Sequence, residues 1–118
     1  MNHKNKVIFY HNPRCSKSRC ALELVQKKIK DVQVIEYLKT PPTEKELKDI
    51  LKKLGMKAED IIRKKEDLFK KKFLGKIFSG PQWIKILAKN PILIERPIVV
   101  RGNKAVIGRP PENVKQIF

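Results

Sequence analysis

Only two of the 118 residues are cysteines, Cys15 and Cys20. A bridge between positions so close in sequence would close a loop too small to staple anything, so no disulfide framework is expected. The two thiols therefore read as chemistry or packing in a reducing compartment, with the cytoplasm as the expected location. Long apolar runs are missing too. None approaches the twenty or so residues that cross a bilayer, and no membrane partner is expected. The stretch Met1-Asn2-His3-Lys4-Asn5-Lys6 leads straight into a strand-like block without the apolar core of a signal peptide. With only five glycines there is neither a phosphate-binding glycine loop nor a dinucleotide fingerprint, and no Cys/His cluster has metal-ligand spacing, so no bound metal or cofactor is expected.

Acidic residues are scarce as well. Twelve stand against 28 Lys and Arg, for a formal net charge of +16. Lysine supplies 22 of these cations, in runs such as Lys27-Lys28, Lys52-Lys53, Lys64-Lys65 and Lys70-Lys71-Lys72. Such a charge suits nucleic acid, an anionic membrane surface or a lysine-coated exterior. Aromatic interleaving is sparse and no nucleic-acid motif appears, so the coated exterior is the reading adopted and no direct nucleic-acid partner is expected. The six arginines are the more informative cations.

What the chain does have is apolar residues at 41%, arranged in short periodic blocks, which marks a folded chain of one domain, residues 1–118. Val7-Ile8-Phe9-Tyr10 has the length and composition of a buried strand in a mostly parallel sheet. After the loop His11-Asn12-Pro13-Arg14-Cys15, the spacing of Ala21, Leu22, Val25 and Ile29 predicts a helix, and Val32 to Tyr37 a second strand. Residues 39–95 read as a helical insert. Thr43 with Glu46 forms a capping box for a helix through Leu47, Ile50, Leu51 and Leu54 that Gly55 ends, and shorter segments follow around Ala58–Ile62, Asp67–Lys71 and Gly80–Ala88. Ile98-Val99-Val100 and Ala105-Val106-Ile107 flank the turn Arg101-Gly102-Asn103-Lys104 as a hairpin, and a last helix runs from Pro111 towards Ile117. The fold class is α/β: strand, helix, strand, helical insert, hairpin, helix.

A cysteine between a strand end and a helix start meets the partial positive charge and free amides of the helix N-terminus, which favour its thiolate. The amides of Ser16, Lys17, Ser18 and Arg19 would form an anion-binding nest beside that sulfur. His11, Arg14 and Arg19 add cationic or hydrogen-bonding groups. Cys15 is on these grounds the candidate nucleophile. Cys20 falls inside the helix one turn back from Leu24, where a packed thiol is expected.

The loop Tyr10-His11-Asn12-Pro13-Arg14-Cys15-Ser16-Lys17-Ser18-Arg19 resembles the active-site loop of glutaredoxin-coupled ArsC-type arsenate reductases, in the ArsC/Spx-like branch of the thioredoxin-like fold. Asn90-Pro91-Ile92-Leu93-Ile94-Glu95-Arg96-Pro97-Ile98-Val99 and Gly108-Arg109-Pro110-Pro111-Glu112 resemble that family's other two signatures, so the likeness runs over nearly the whole chain in order. The resemblance implies Cys15 as nucleophile with His11 and Ser18 tuning it, Arg63, Arg96 and Arg109 as the oxyanion-binding set, and Asn12, Arg19 and Pro97 in support. It also implies a cis bond before Pro97. Guanidinium groups suit the task, because they bind a doubly charged oxyanion bidentately. Arg101, in the hairpin turn, reads as a solvated surface cation.

By this resemblance the chain is an arsenate reductase-like enzyme, with glutathione as co-substrate and glutaredoxin as partner completing the release of arsenite. Two alternatives stay open. Spx-type regulators share the fold and contact the RNA polymerase alpha subunit, but they commonly carry a second loop cysteine where this chain has Ser18 and lack the third arginine retained here as Arg109. The other is a thiol reductase with a different substrate, since Arg14, Ser16 and Lys17 depart from the best-known reductase loops.

Overall fold

Val7 and Phe9 alternate with Ile8 and Tyr10, and it is the first pair that seeds the core of the sheet. The computed structural model describes residues 6–118; the expected run of Met1–Asn5 into the first strand lies outside them. Within the described residues the chain forms two compact units, residues 6–40 with 96–118, and residues 41–95.

The first unit carries a four-stranded sheet. Its strands are β1 (Val7–His11), β2 (Val32–Glu36), β3 (Ile98–Arg101) and β4 (Lys104–Ile107), in the order β2-β1-β3-β4. The expected mostly parallel sheet is corrected: β1 pairs in parallel with β2 but antiparallel with β3, while the antiparallel pairing of β3 with β4 is the expected hairpin. The reason is connectivity. Helix α1 (Ser16–Lys28) provides the crossover that a parallel pair needs, whereas the tight turn at Gly102, φ 59°, returns β4 antiparallel to β3. Ala21, Val25 and Ile29 of α1 pack on Val7, Phe9 and Val99, and Val114 and Ile117 close the same core. The final segment Pro111–Ile117 is a 3-10 helix.

The second unit, residues 41–95, is helical. Helix α2 (Glu44–Leu54) has the expected capping box, with Thr43 Oγ1 accepting from the Glu46 amide at 3.1 Å and the Glu46 carboxylate accepting from the Thr43 amide at 3.0 Å. Gly55 ends it at φ 68°, the left-handed conformation that closes helices. Helices α3 (Asp67–Lys72) and α4 (Gly80–Lys89) follow, with 3-10 turns at Ala58–Ile61 and Pro91–Leu93. An isolated bridge joins Ile62 to Ile94, flanked by Arg63 N–H to Leu93 O at 2.7 Å and Glu95 N–H to Ile61 O at 2.8 Å. Phe69, Phe73, Phe78 and Trp83 form one aromatic cluster, the closest rings being Phe78 and Trp83 at 4.8 Å.

Candidate functional site

The loop between β1 and α1 is folded by its own side chains. The Cys15 amide donates to Asn12 O at 3.0 Å, the Arg14 amide to Asn12 Oδ1 at 3.0 Å, and the Arg19 guanidinium to Pro13 O at 2.9 Å. Asn residues favour such turns because their side chain can imitate a backbone acceptor. Ser18 is fully buried, and its Oγ holds two partners at once: the Asn12 amide at 3.1 Å and His11 Nδ1 at 2.8 Å. His11, Asn12, Ser18 and Arg19 are thus joined around the loop that presents Cys15.

Cys15 is the N-cap residue of α1, with φ −96° and ψ 120°. Its thiol makes no cap hydrogen bond of ordinary geometry, yet the amides of Ser18 and Lys17 act on the sulfur, as does the Arg96 guanidinium. Partial burial pushes the thiol pKa up; the Ser18 amide, the Arg96 hydrogen bond, the Lys17 amide and the charge of Arg96 outweigh it, and the net position is below the ordinary 9.0. No acidic residue stands in the first turn of α1 to oppose this. His11 is also lowered from its ordinary 6.5, first by burial and further by the Arg19 charge, against an upward pull from Glu36. The lowered pKa favours the neutral imidazole, a hydrogen-bonding strut for Ser18 rather than a second cation.

Arg96 reaches the thiol because of register. Tyr10 pairs with Ile98 across β1 and β3, so the residues preceding β3 lie opposite the loop that follows β1. The Arg96–Pro97 bond is cis, as the resemblance implies, and Arg109–Pro110 is a second cis bond. Gly108 donates its amide to Pro97 O at 2.8 Å, which fixes the residue before Arg109 against the residue after Arg96. Arg109 Nη1 is buried without a hydrogen-bond partner among the described residues. A buried donor on a guanidinium is costly to leave unmade, and an oxyanion has the chemistry to satisfy it.

Arg63, the third arginine of the expected set, belongs to the second unit, where two carboxylates hold its guanidinium: Glu95 at 3.0 Å and Glu66 at 3.4 Å. Two other expectations are corrected. Cys20 is exposed rather than packed, because Ala21 and Val25 take the buried face of α1. Arg101 is not a solvated cation: it is half-buried and donates to Ile117 O at 2.9 Å, tying the hairpin to the chain end. The sequence reading also missed Asn113, whose side-chain amide donates to Ile107 O at 3.3 Å and Arg109 O at 3.1 Å and so brackets Gly108 and Arg109. A polar residue two places after the Pro-Pro pair was the available signal.

Among the described residues no group of His, Cys, Asp and Glu could hold a metal ion, and no helix is long and apolar enough to cross a membrane. A strand-helix-strand followed by a hairpin, with a thiol at the first helix start and a proline of cis geometry before the hairpin, defines a thioredoxin-like α/β protein. Comparison with known proteins narrows this. The ArsC family model matches residues 10–117, and the chain belongs to the ArsC family. It is 42% identical over 115 residues to an arsenate reductase of Neisseria meningitidis serogroup A, covering 96% of this chain and 98% of that one. It is 47% identical over 114 residues to the Escherichia coli K12 protein named uncharacterized protein YfgD, covering 95% and 96%. The solved structure of an arsenate reductase from Vibrio cholerae superposes with a TM-score of 0.90 at 44% identity, covering 96% of this chain and 98% of that one.

Proposed function

We propose that this protein reduces arsenate, with the Cys15 thiolate as nucleophile. The observation that carries the reading is Cys15 at the start of α1, where burial is outweighed by the Ser18 amide, the Arg96 guanidinium and the Lys17 amide acting together on the thiol, so that its pKa lies below the ordinary value. The same arrangement that ionises the sulfur attracts a doubly charged oxyanion to it. The sulfur forms a bond to arsenic and one arsenate oxygen leaves, protonated, as water. Arg96 and Arg109 neutralise the remaining oxygens, Arg109 through the buried Nη1 that has no other partner. The family resemblance adds Arg63 to the anion-binding set; with Glu66 and Glu95 on it, its share of the attraction is the smallest of the three.

Two electrons must still reach arsenic. Ser18 stands where a second loop cysteine would be, and it is buried and committed to His11 and Asn12, so the electrons come from outside thiols that end as a disulfide. Glutathione forms the mixed adduct with Cys15, and glutaredoxin completes the release of arsenite. The names of the family relatives support the substrate, and the absence of a second loop thiol supports the reductant. His11, Asn12, Ser18, Arg19 and Pro97 hold the loop and its facing strand in place. The setting of the proposed reaction is the cytoplasm.

The test is arsenite production from arsenate with glutathione and glutaredoxin, by the wild type and Cys15→Ser. Turnover by the wild type and none by the variant is expected. Failure of the wild type to make arsenite, together with capture of the RNA polymerase alpha subunit, would replace this reading with the regulatory one.

A further inference from the structure

The positive charge of the chain is unevenly placed within its helical unit. All acidic residues of that unit lie at 44–67 or at Glu95; between Asp67 and Glu95 there is none, while Lys70, Lys71, Lys72, Lys76, Lys85 and Lys89 all fall in that interval. The densest part spans the last turn of α3 and the residues after it, Lys70-Lys71-Lys72-Phe73-Leu74-Gly75-Lys76-Ile77-Phe78. Here the apolar residues divide into two sets. Phe73 and Phe78 turn inward and meet Trp83 at 6.1 and 4.8 Å, with Phe69 behind them. Leu74 and Ile77 turn outward and are 67% and 97% exposed. Gly75, at φ 78°, makes the turn that separates them.

Isolated exposed apolar residues are ordinary on a protein surface. Two large aliphatic side chains exposed within four residues of each other, with four lysines close by in sequence and an aromatic cluster formed by their inward neighbours, are a different arrangement. Both side chains project into solvent, so an occupant must take them in. A second copy of the chain is disfavoured, because it would set the same four lysines against their like. Soft, anionic and deep enough for two aliphatic side chains is the description of an acidic lipid leaflet, and interfacial anchors combine these same two features, an apolar insertion and a lysine fringe.

Against the sequence expectation of no membrane partner, we propose that residues 70–78 dock this protein reversibly on anionic membrane surfaces, with Leu74 and Ile77 entering the acyl boundary and Lys70, Lys71, Lys72 and Lys76 pairing with acidic headgroups. The proposal is independent of the thiol chemistry. Each lysine held at such a surface strengthens binding about fivefold, and the two aliphatic side chains together contribute at least about tenfold.

Flotation with vesicles of phosphatidylcholine and phosphatidylserine, two parts to one, tests it against vesicles of phosphatidylcholine alone. The wild type is expected to float with the mixed vesicles only. Leu74→Ser with Ile77→Ser leaves the charge unchanged, and is expected to weaken binding at least about tenfold while circular dichroism stays the same. Because a chain of charge +16 adsorbs to any acidic surface, two sets of four lysine-to-glutamine changes are compared. Changing Lys70, Lys71, Lys72 and Lys76 is expected to weaken binding far more than changing Lys27, Lys28, Lys104 and Lys115. Equal flotation of the serine variant, or equal losses in the two lysine sets, would reduce the effect to bulk charge and overturn the proposal. Capture of soluble polyglutamate that requires Leu74 and Ile77, without vesicle binding, would assign the turn to an acidic polypeptide and overturn it too.

Discussion

Gly108 lies so close to Pro97 that a side chain at this glycine would collide with the proline ring. A Cβ there would stand 2.9 Å from Pro97 Cγ, 3.1 Å from Val114 Cγ1 and 3.3 Å from Ala21 Cβ. The space is taken on three sides, by the proline just before β3, by α1 and by the closing 3-10 helix. Gly108→Ala is therefore expected to cost about 1–3 kcal/mol of stability, as overpacking of a closed core does. Urea unfolding would measure it, and an unchanged midpoint would mean that the contact relaxes freely. Because Arg109 follows directly, the variant is also expected to raise KM for arsenate.

The arginines should separate by substitution. Arg96→Gln removes both a hydrogen bond and a charge from the Cys15 sulfur, so kcat/KM for arsenate should fall by about 100-fold or more. Arg109→Lys keeps a charge but loses the planar fork, and a fall of about tenfold is expected. Arg63→Gln should affect KM least, since Glu66 and Glu95 already offset its charge. Steady-state kinetics with arsenate as the varied substrate would rank the three, and a larger loss at Arg63 than at Arg96 would contradict the assignment.

Alkylation of Cys15 by iodoacetamide should follow its ionisation. The native thiol titrates below 9.0, so the rate should rise through a midpoint lower than that of the unfolded chain. Arg96→Gln should move that midpoint upward. The sign for stability follows from linkage: a depressed acid pKa stabilises the native state above the unfolded thiol's pKa, and that benefit disappears as pH falls through the native one. Cys15→Ser should flatten this part of the stability profile. Cys20 is exposed and would be labelled as well, so the measurement needs Cys20→Ser.

His11 makes a second pH prediction, at lower pH. Burial holds it below 6.5, so the unfolded chain binds its proton first. Native stability attributable to this residue is complete above 6.5 and declines as pH falls through the lowered native value. His11→Asn should remove that decline, while leaving Ser18 with a shorter and poorer partner. Thermal unfolding across this range would show it, and parallel slopes for wild type and variant would exclude the residue as the source.

Much of this was legible beforehand, and the reasons are local. Capping of α2 by Thr43 and Glu46, the stop at Gly55 and the turn at Gly102 depend on near neighbours in sequence, and all are present as expected. The thiol loop was legible because Cys15 lies between a strand block and a helix block. What failed depends on partners far along the chain. Val7–Tyr10 is apolar whether its neighbour runs parallel or antiparallel, so the mixed sheet could not be read from it. Arg101 reaches Ile117 only after the hairpin and the chain end meet, and the exposure of Cys20 follows from which face of α1 the sheet covers.

The strand order also decides how robust the proposed chemistry is to breathing of the molecule. Cys15 follows β1 and Arg96 precedes β3, and these two strands are the inner pair of the sheet, whereas Arg109 hangs from β4 at its border. Borders fray at less free energy than centres do. Of the two arginines, Arg109 is therefore the one that opening at the border would reach first, and its hold there depends on the Pro97 and Asn113 hydrogen bonds that pin the end of β4.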